Sequence, residues 1–164
     1  MAQITLKGNQ ISTSGNLPAV GSQAPEFTMV KEDLSETSLS GISGRKVFNI
    51  FPSIDTGVCA ASVRQFNQRA AGLKDTLVYN ISKDLPFAMK RFCGAEGIKN
   101  AQTASVWRSD FAQKYGLEIV DGPLKGLCSR VVLVLDASNK VLYAQQVPEI
   151  TTEPDYDAAL KALA

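Results

Sequence analysis

Cys59 stands three residues after Thr56 and seven after Pro52, in the stretch "NIFPSIDTGVCAASVRQF". The chain runs out of an apolar segment, breaks at a proline and places a lone thiol where a helix should begin. No histidine occurs among the 164 residues. That removes Ser-His-Asp and Cys-His hydrolase chemistry, histidine proton shuttles and histidine-ligated metal sites. Cys59, Cys93 and Cys128 are too few and too far apart for a four-cysteine zinc site. An odd count, in a chain with no visible secretory signal, also argues against a disulfide framework. What remains is the chemistry of a thiol activated by something other than imidazole.

The sequence around Cys59 suggests how. Thr56 is the natural N-cap, with Gly57, Val58 and Cys59 filling the first turn. A thiol there meets exposed backbone N–H groups and the positive end of the helix dipole, and both favour thiolate. The alternative is that Cys59 is a small buried residue without chemistry, as many free cysteines are. A dithiol oxidoreductase of the thioredoxin kind carries C-x-x-C at such a junction. Here "TGVC" puts threonine at the first cysteine position. Dithiol exchange is lost, and one thiol is kept beside one hydroxyl.

The elements that must hold this thiol are legible in outline. "QITLK" and "QIST" around Gly8-Asn9 read as an N-terminal β-hairpin. The stretch "EDLSETSLS" reads as a short helical or turn segment. Residues 46–51 form a buried strand, and Val63, Phe66, Ala70 and Leu73 follow at helical spacing. Residues 76–81 make a second strand, and 86–93 a helix stopped by Gly94. Residues 109–116 form a helix ending at Gly116. Strands 130–135 and 140–147 flank the turn "DASN". "TTEPDYDAALKALA" is a last helix, with a cap residue, early acids and Pro154. Strand–helix–strand requires a parallel pair with a right-handed crossover, whereas the final hairpin is antiparallel. This mixed order is that of an α/β thioredoxin-like fold, read as one domain over 1–164.

Composition limits the partners. Seventeen basic and sixteen acidic residues give a net charge of +1. Without a charged block, neither nucleic acid nor an anionic membrane surface is an expected partner. The longest apolar runs fall far short of a bilayer span, and the expected location is cytoplasmic.

"PSIDTGVC" fits P-x-x-x-T-x-x-C, the peroxidatic motif of peroxiredoxins. The longer strings "SKDLPFAMKRFCGAEG", "DGPLKGL" and "EITTEPDY" extend the likeness over nearly the whole chain. The sequence resembles the bacterial thiol peroxidases, which are atypical 2-Cys peroxiredoxins. The resemblance implies Cys59 as peroxidatic cysteine, Thr56 as hydrogen-bond partner of thiolate and peroxide, and Pro52 as a shield. It implies Arg130, in "CSRVVLVLD", as the active-site guanidinium, and Cys93 as the resolving cysteine. It also implies thioredoxin as reductant, hydrogen peroxide and alkyl or lipid hydroperoxides as substrates, a homodimer, and no haem, metal or flavin. Arg130 makes independent sense, since a charge at the start of a central strand needs a partner.

Attack on a hydroperoxide would leave a sulfenic acid that a second thiol, Cys93 or Cys128, could capture. Cys93 precedes Gly94 and Gly97, where local unwinding is cheap. The two segments must then rearrange for a Cys59–Cys93 bond to form. Cys128 has no partner motif and reads as a bystander. Thiolate population alone explains little: lowering a thiol pKa from about 8.5 to about 6 raises thiolate at pH 7 about thirtyfold. The Brønsted penalty then removes about a factor of ten. Most of the acceleration must come from donors along the breaking O–O bond: the Thr56 hydroxyl, the Arg130 guanidinium and first-turn amides. Two rival readings are a redox-relay module without peroxidase activity, which Thr56 in the C-x-x-C position disfavours, and a structural domain with inert thiols.

Overall fold

The computed structural model describes residues 1–164. Its elements are β1 (Gln3–Leu6), β2 (Asn9–Ser12), β3 (Thr28–Lys31), β4 (Glu36–Ser38), β5 (Arg45–Ile50), α1 (Gly57–Ala70), β6 (Thr76–Ser82), α2 (Pro86–Glu96), β7 (Gln102–Ser105), α3 (Phe111–Lys114), β8 (Val131–Leu135), β9 (Val141–Gln146) and α4 (Tyr156–Lys161). β1 and β2 form a separate hairpin, and the other seven strands make one sheet ordered β4-β3-β7-β6-β5-β8-β9. β5, β6 and β7 are parallel to one another, β8 runs antiparallel to β5, and β9 runs antiparallel to β8. Two successive right-handed crossovers in the same direction place α1 and α2 on one face of the sheet.

Period-two alternation divides the strands between two cores. Phe48, Ile50, Tyr79, Ile81 and Leu133 join Phe27, Phe111 and Tyr115 on one face. Val47, Val78, Val132 and Val134 meet Phe66 of α1 and Ala159 of α4 on the other. A small third cluster holds Phe51, Ile54, Cys59 and Val63, with Phe92 and Ile98 packed against it. The peroxidatic candidate thus sits in its own apolar patch at the carboxyl end of β5.

Several expectations change. The hairpin turn is Lys7-Gly8, with φ of 51° and 81°, one residue earlier than the Gly8-Asn9 reading. Two consecutive positive φ values are what a two-residue hairpin loop requires. The segment expected to be helical or a turn near 32–40 contains β4, which pairs with β3, before a short 3-10 turn at Leu39–Gly41. α2 does not stop at Gly94; it continues to Glu96 and ends at Gly97, whose φ of 66° supplies the left-handed cap. The helix expected over 109–116 is a single turn. α4 starts later than its sequence suggests, at Tyr156, and is capped by Asp155, whose side chain accepts from Ala158 N at 2.9 Å.

Candidate active site

α1 begins where β5 ends, so the sheet fixes the position of its first turn. Thr56 occupies the N-cap position by backbone geometry, but its side chain makes no capping bond. The Thr56 hydroxyl instead donates to the Ser53 carbonyl at 3.1 Å. The amides of Gly57, Val58 and Cys59 therefore have no intrahelical acceptor, and the first helical bond runs from Ala60 N to Thr56 O. The loop before the helix is held from outside. Asp84 accepts from the Ser53 hydroxyl at 2.8 Å, from Ile54 N at 2.7 Å and from the Ser82 hydroxyl at 2.5 Å.

Cys59 is fully buried, and its sulfur accepts a hydrogen bond from Arg130 Nη2 at 3.3 Å. Arg130 precedes β8 and is itself 1% exposed. Its Nε donates to the Ile150 carbonyl at 2.7 Å. Its Nη1 is buried with no partner in the protein. A buried guanidinium that leaves one arm unbonded is costly, and that arm has donors to offer a ligand.

Ile150 is in turn positioned by Glu149. The Glu149 carboxylate accepts from Thr5 Oγ1 (2.5 Å), Lys7 N (2.8 Å), Gly8 N (3.1 Å) and Thr151 Oγ1 (2.7 Å). These bonds hold its pKa well below the ordinary carboxylate range. Ile150 N also donates to Thr5 O at 2.9 Å. A chain of contacts therefore runs from the N-terminal hairpin through Glu149 and Ile150 to Arg130 and the thiol.

These parts wall a pocket of about 700 Å3. Pro52, Thr56 and Val58 from the β5–α1 junction, Leu6 of the hairpin, Ile150 and Arg130 are among the residues that line it. Thr56, Pro52 and Arg130 line this pocket, and Cys59 is buried behind it on Arg130, so the structure groups these four. It does not bring Cys93 to them. Cys93 lies near the end of α2, buried beside Glu32 and Thr103, and burial together with the Glu32 carboxylate pushes its thiol up to about 12. Cys128 is also fully buried, and burial pushes it up to about 12. All three cysteines are free.

A thioredoxin-like sheet carrying a single thiol at the α1 start, with a buried arginine on its sulfur, defines a peroxiredoxin-type oxidoreductase. Comparison with known proteins agrees. The Redoxin family model matches residues 19–160. Thiol peroxidases of Corynebacterium glutamicum and Mycobacterium bovis are 55% and 54% identical over 164 residues, 99% of each chain. A peroxiredoxin-like protein from Aquifex aeolicus is 40% identical, with a TM-score of 0.90, over 99% of this chain and 96% of its own. A thiol peroxidase from Chromobacterium violaceum shares the fold, with a TM-score of 0.91 over 99% of this chain and 96% of its own, at 23% identity. The chain belongs to the thiol peroxidases of the Redoxin family.

Proposed function

We propose that the protein reduces hydrogen peroxide and organic hydroperoxides through Cys59. The observation that carries this reading is the Arg130 fork, with one arm on the Cys59 sulfur and the other buried and unbonded. The Cys59 thiolate attacks the terminal oxygen of ROOH, the O–O bond breaks, and the departing RO⁻ takes a proton to leave as ROH. Sulfur is oxidised to sulfenic acid and the peroxide is reduced. Charge grows on both oxygens as this bond stretches. Nη1 of Arg130, the free amides at the start of α1 and the Thr56 hydroxyl, once it turns from Ser53, are the donors that meet it. Pro52 keeps bulk water from the site. The apolar walls supplied by Leu6, Val58, Leu124, Leu127 and Ile150 suit an alkyl group on the peroxide.

In the second step Cys93 condenses with the sulfenic acid, forming the Cys59–Cys93 disulfide and releasing water. Thioredoxin then reduces that bond by exchange. A homodimer and a cytoplasmic location complete this reading, which rests on likeness to the thiol peroxidases. No helix is long and apolar enough to cross a membrane.

The test is one equivalent of peroxide mixed with reduced protein in stopped flow, with the product mapped by mass spectrometry. A second-order rate above about 10⁴ M⁻¹s⁻¹, in the enzymatic range, and an intrachain Cys59–Cys93 bond are expected. A rate like that of a free thiol would leave a thioredoxin-like scaffold without peroxidase activity.

A further inference from the structure

Cys59 and Cys93 are buried under two neighbouring helices and contact different groups. Asp55 pairs with Arg91 at 3.1 Å, Arg64 with Glu96 at 3.0 Å, and Asn67 with the amides of Lys99, Asn100 and Ala101. These links follow the same order along both segments, so α1 and α2 lie side by side and parallel. Cys59 turns toward Arg130, whereas Cys93 turns toward Glu32 and Thr103. The residue of α2 that meets the Cys59 cluster is Phe92. Neighbouring residues on an α-helix point about 100° apart. For Cys93 to reach Cys59, the end of α2 must turn or unwind by about that much, and Phe92 must leave.

One side chain opposes this motion from two directions. Arg64 donates from both Nε and Nη2 to the Glu96 carboxylate, each at 3.0 Å. Its guanidinium carbon also lies 5.8 Å over the Phe92 ring. Both grips fall on the last turn and a half of α2, where Cys93 itself is located. The flanks of that segment are tied separately. Asp84 holds the approach to α2 against Ser53 and Ile54, and the Asn67 Oδ1 caps the amides of residues 99–101 at 2.7–3.2 Å. Between these ties lie the two grips of Arg64 and the exposed Asp55–Arg91 pair.

We propose that Arg64 is a positioning residue that gates the resolving step, holding Phe92 and Glu96 in the register that keeps Cys93 away from Cys59. This rests on the reading of Cys93 as the partner of Cys59. The chemical step is unchanged: Cys93-SH and Cys59-SOH give the disulfide and water. Arg64 sets how often the end of α2 opens to allow it. While the clamp is closed the sulfenic acid waits, exposed to a second peroxide and oxidation to sulfinic acid.

The experiment compares wild type with Arg64→Gln, Glu96→Gln and the exchange Arg64→Glu/Glu96→Arg. Rapid quenching with an alkylating agent and mass spectrometry follow sulfenic acid and disulfide separately. A partly exposed bidentate ion pair with a cation–π contact predicts disulfide closure about three- to tenfold faster in both single variants. The rate of Cys59 oxidation should stay within about twofold of wild type, and the sulfinic yield at high peroxide should fall. The exchange variant should restore slow closure. Raising ionic strength should speed closure in wild type but not in Arg64→Gln. A purely structural role would lower stability without separating the two rates. Unchanged or slower closure in both single variants, with the Cys59–Cys93 bond still forming, overturns the gate and leaves the peroxidase reading intact. If wild type forms no such bond, the assignment of Cys93 falls and the gate falls with it.

Discussion

Replacing Arg130 separates thiolate stabilisation from oxygen transfer. Nη2 lies 3.3 Å from the Cys59 sulfur, Nε is committed to Ile150, and Nη1 is free. At an effective dielectric of about 20, opposite unit charges at that distance attract by about 5 kcal/mol. Burying the guanidinium costs several kcal/mol in return, so the net gain in the resting state is small. The larger effect belongs to the step in which charge spreads onto oxygen and Nη1 finds an acceptor. Losing one preorganised donor of this kind costs about 10²–10³ in rate, or about 3–4 kcal/mol. Arg130→Met should therefore lower the peroxide rate by at least that factor. Arg130→Lys keeps the charge but cannot hold Ile150, sulfur and oxygen at once, and should lose about 10². The assay is the second-order rate with hydrogen peroxide and, on the same protein, with iodoacetamide, with circular dichroism as a check on folding. Alkylation needs only the thiolate and should fall by less than about tenfold. Parallel losses in both reactions, or a lysine variant within about threefold of wild type, would refute the division of labour.

Thr56→Val should lower the peroxide rate by about 10² with the helix intact, because the side chain makes no cap bond; Thr56→Ser should retain most activity, and stopped flow decides. Cys93→Ser should still oxidise Cys59 at the wild-type rate but stop at sulfenic and then sulfinic acid under excess peroxide, read as added oxygen mass. Cys128→Ala should leave turnover within about twofold while lowering stability by about 1–2 kcal/mol, through the lost packing of a fully buried sulfur. Glu149 has a folded pKa depressed below its unfolded value, so its contribution is present above about pH 4.3 and is lost as pH falls toward the folded value. Thermal melts of wild type between pH 7 and pH 3 should therefore fall more steeply than those of Glu149→Gln.

The β5–α1 junction was legible because each signal there is local: a buried apolar strand, Pro52, a cap-type residue and helical spacing after it. β7 was missed because its four residues, Gln102, Thr103, Ala104 and Ser105, carry no apolar run, although three of them are buried between β3 and β6. β4, with Glu36, Thr37 and Ser38, looked like a turn for the same reason. Gly94 misled because glycine is tolerated inside a helix where nothing demands a positive φ; at Gly97 the chain does demand one. Thr56, Pro52 and Arg130 came into the site through likeness to a family, and the structure groups them. Glu149 and Ile150 were not singled out. Their partners are the hairpin, more than 140 residues away in sequence, and Arg130, and no short-range pattern encodes such pairings.

The site divides into two mechanical halves. Arg130, the proposed oxygen-transfer donor, is anchored next to a central strand and braced through Ile150 and Glu149 by the hairpin. Cys93 is carried by the end of α2, which Arg64 grips through Phe92 and Glu96, over a patch where Glu32 Oε1 and Thr103 Oγ1 are buried without partners. Lifting that helix end exposes these two atoms to water and so recovers part of the cost of opening. Burial beside Glu32 pushes the Cys93 thiol up to about 12, so on the proposed mechanism it becomes a good nucleophile only after it leaves that patch. On the proposed mechanism, reaction with peroxide requires the folded arrangement and disulfide formation requires its local loss. A rigid half and a releasable half, meeting at Cys59 and Phe92, allow one small chain to satisfy both.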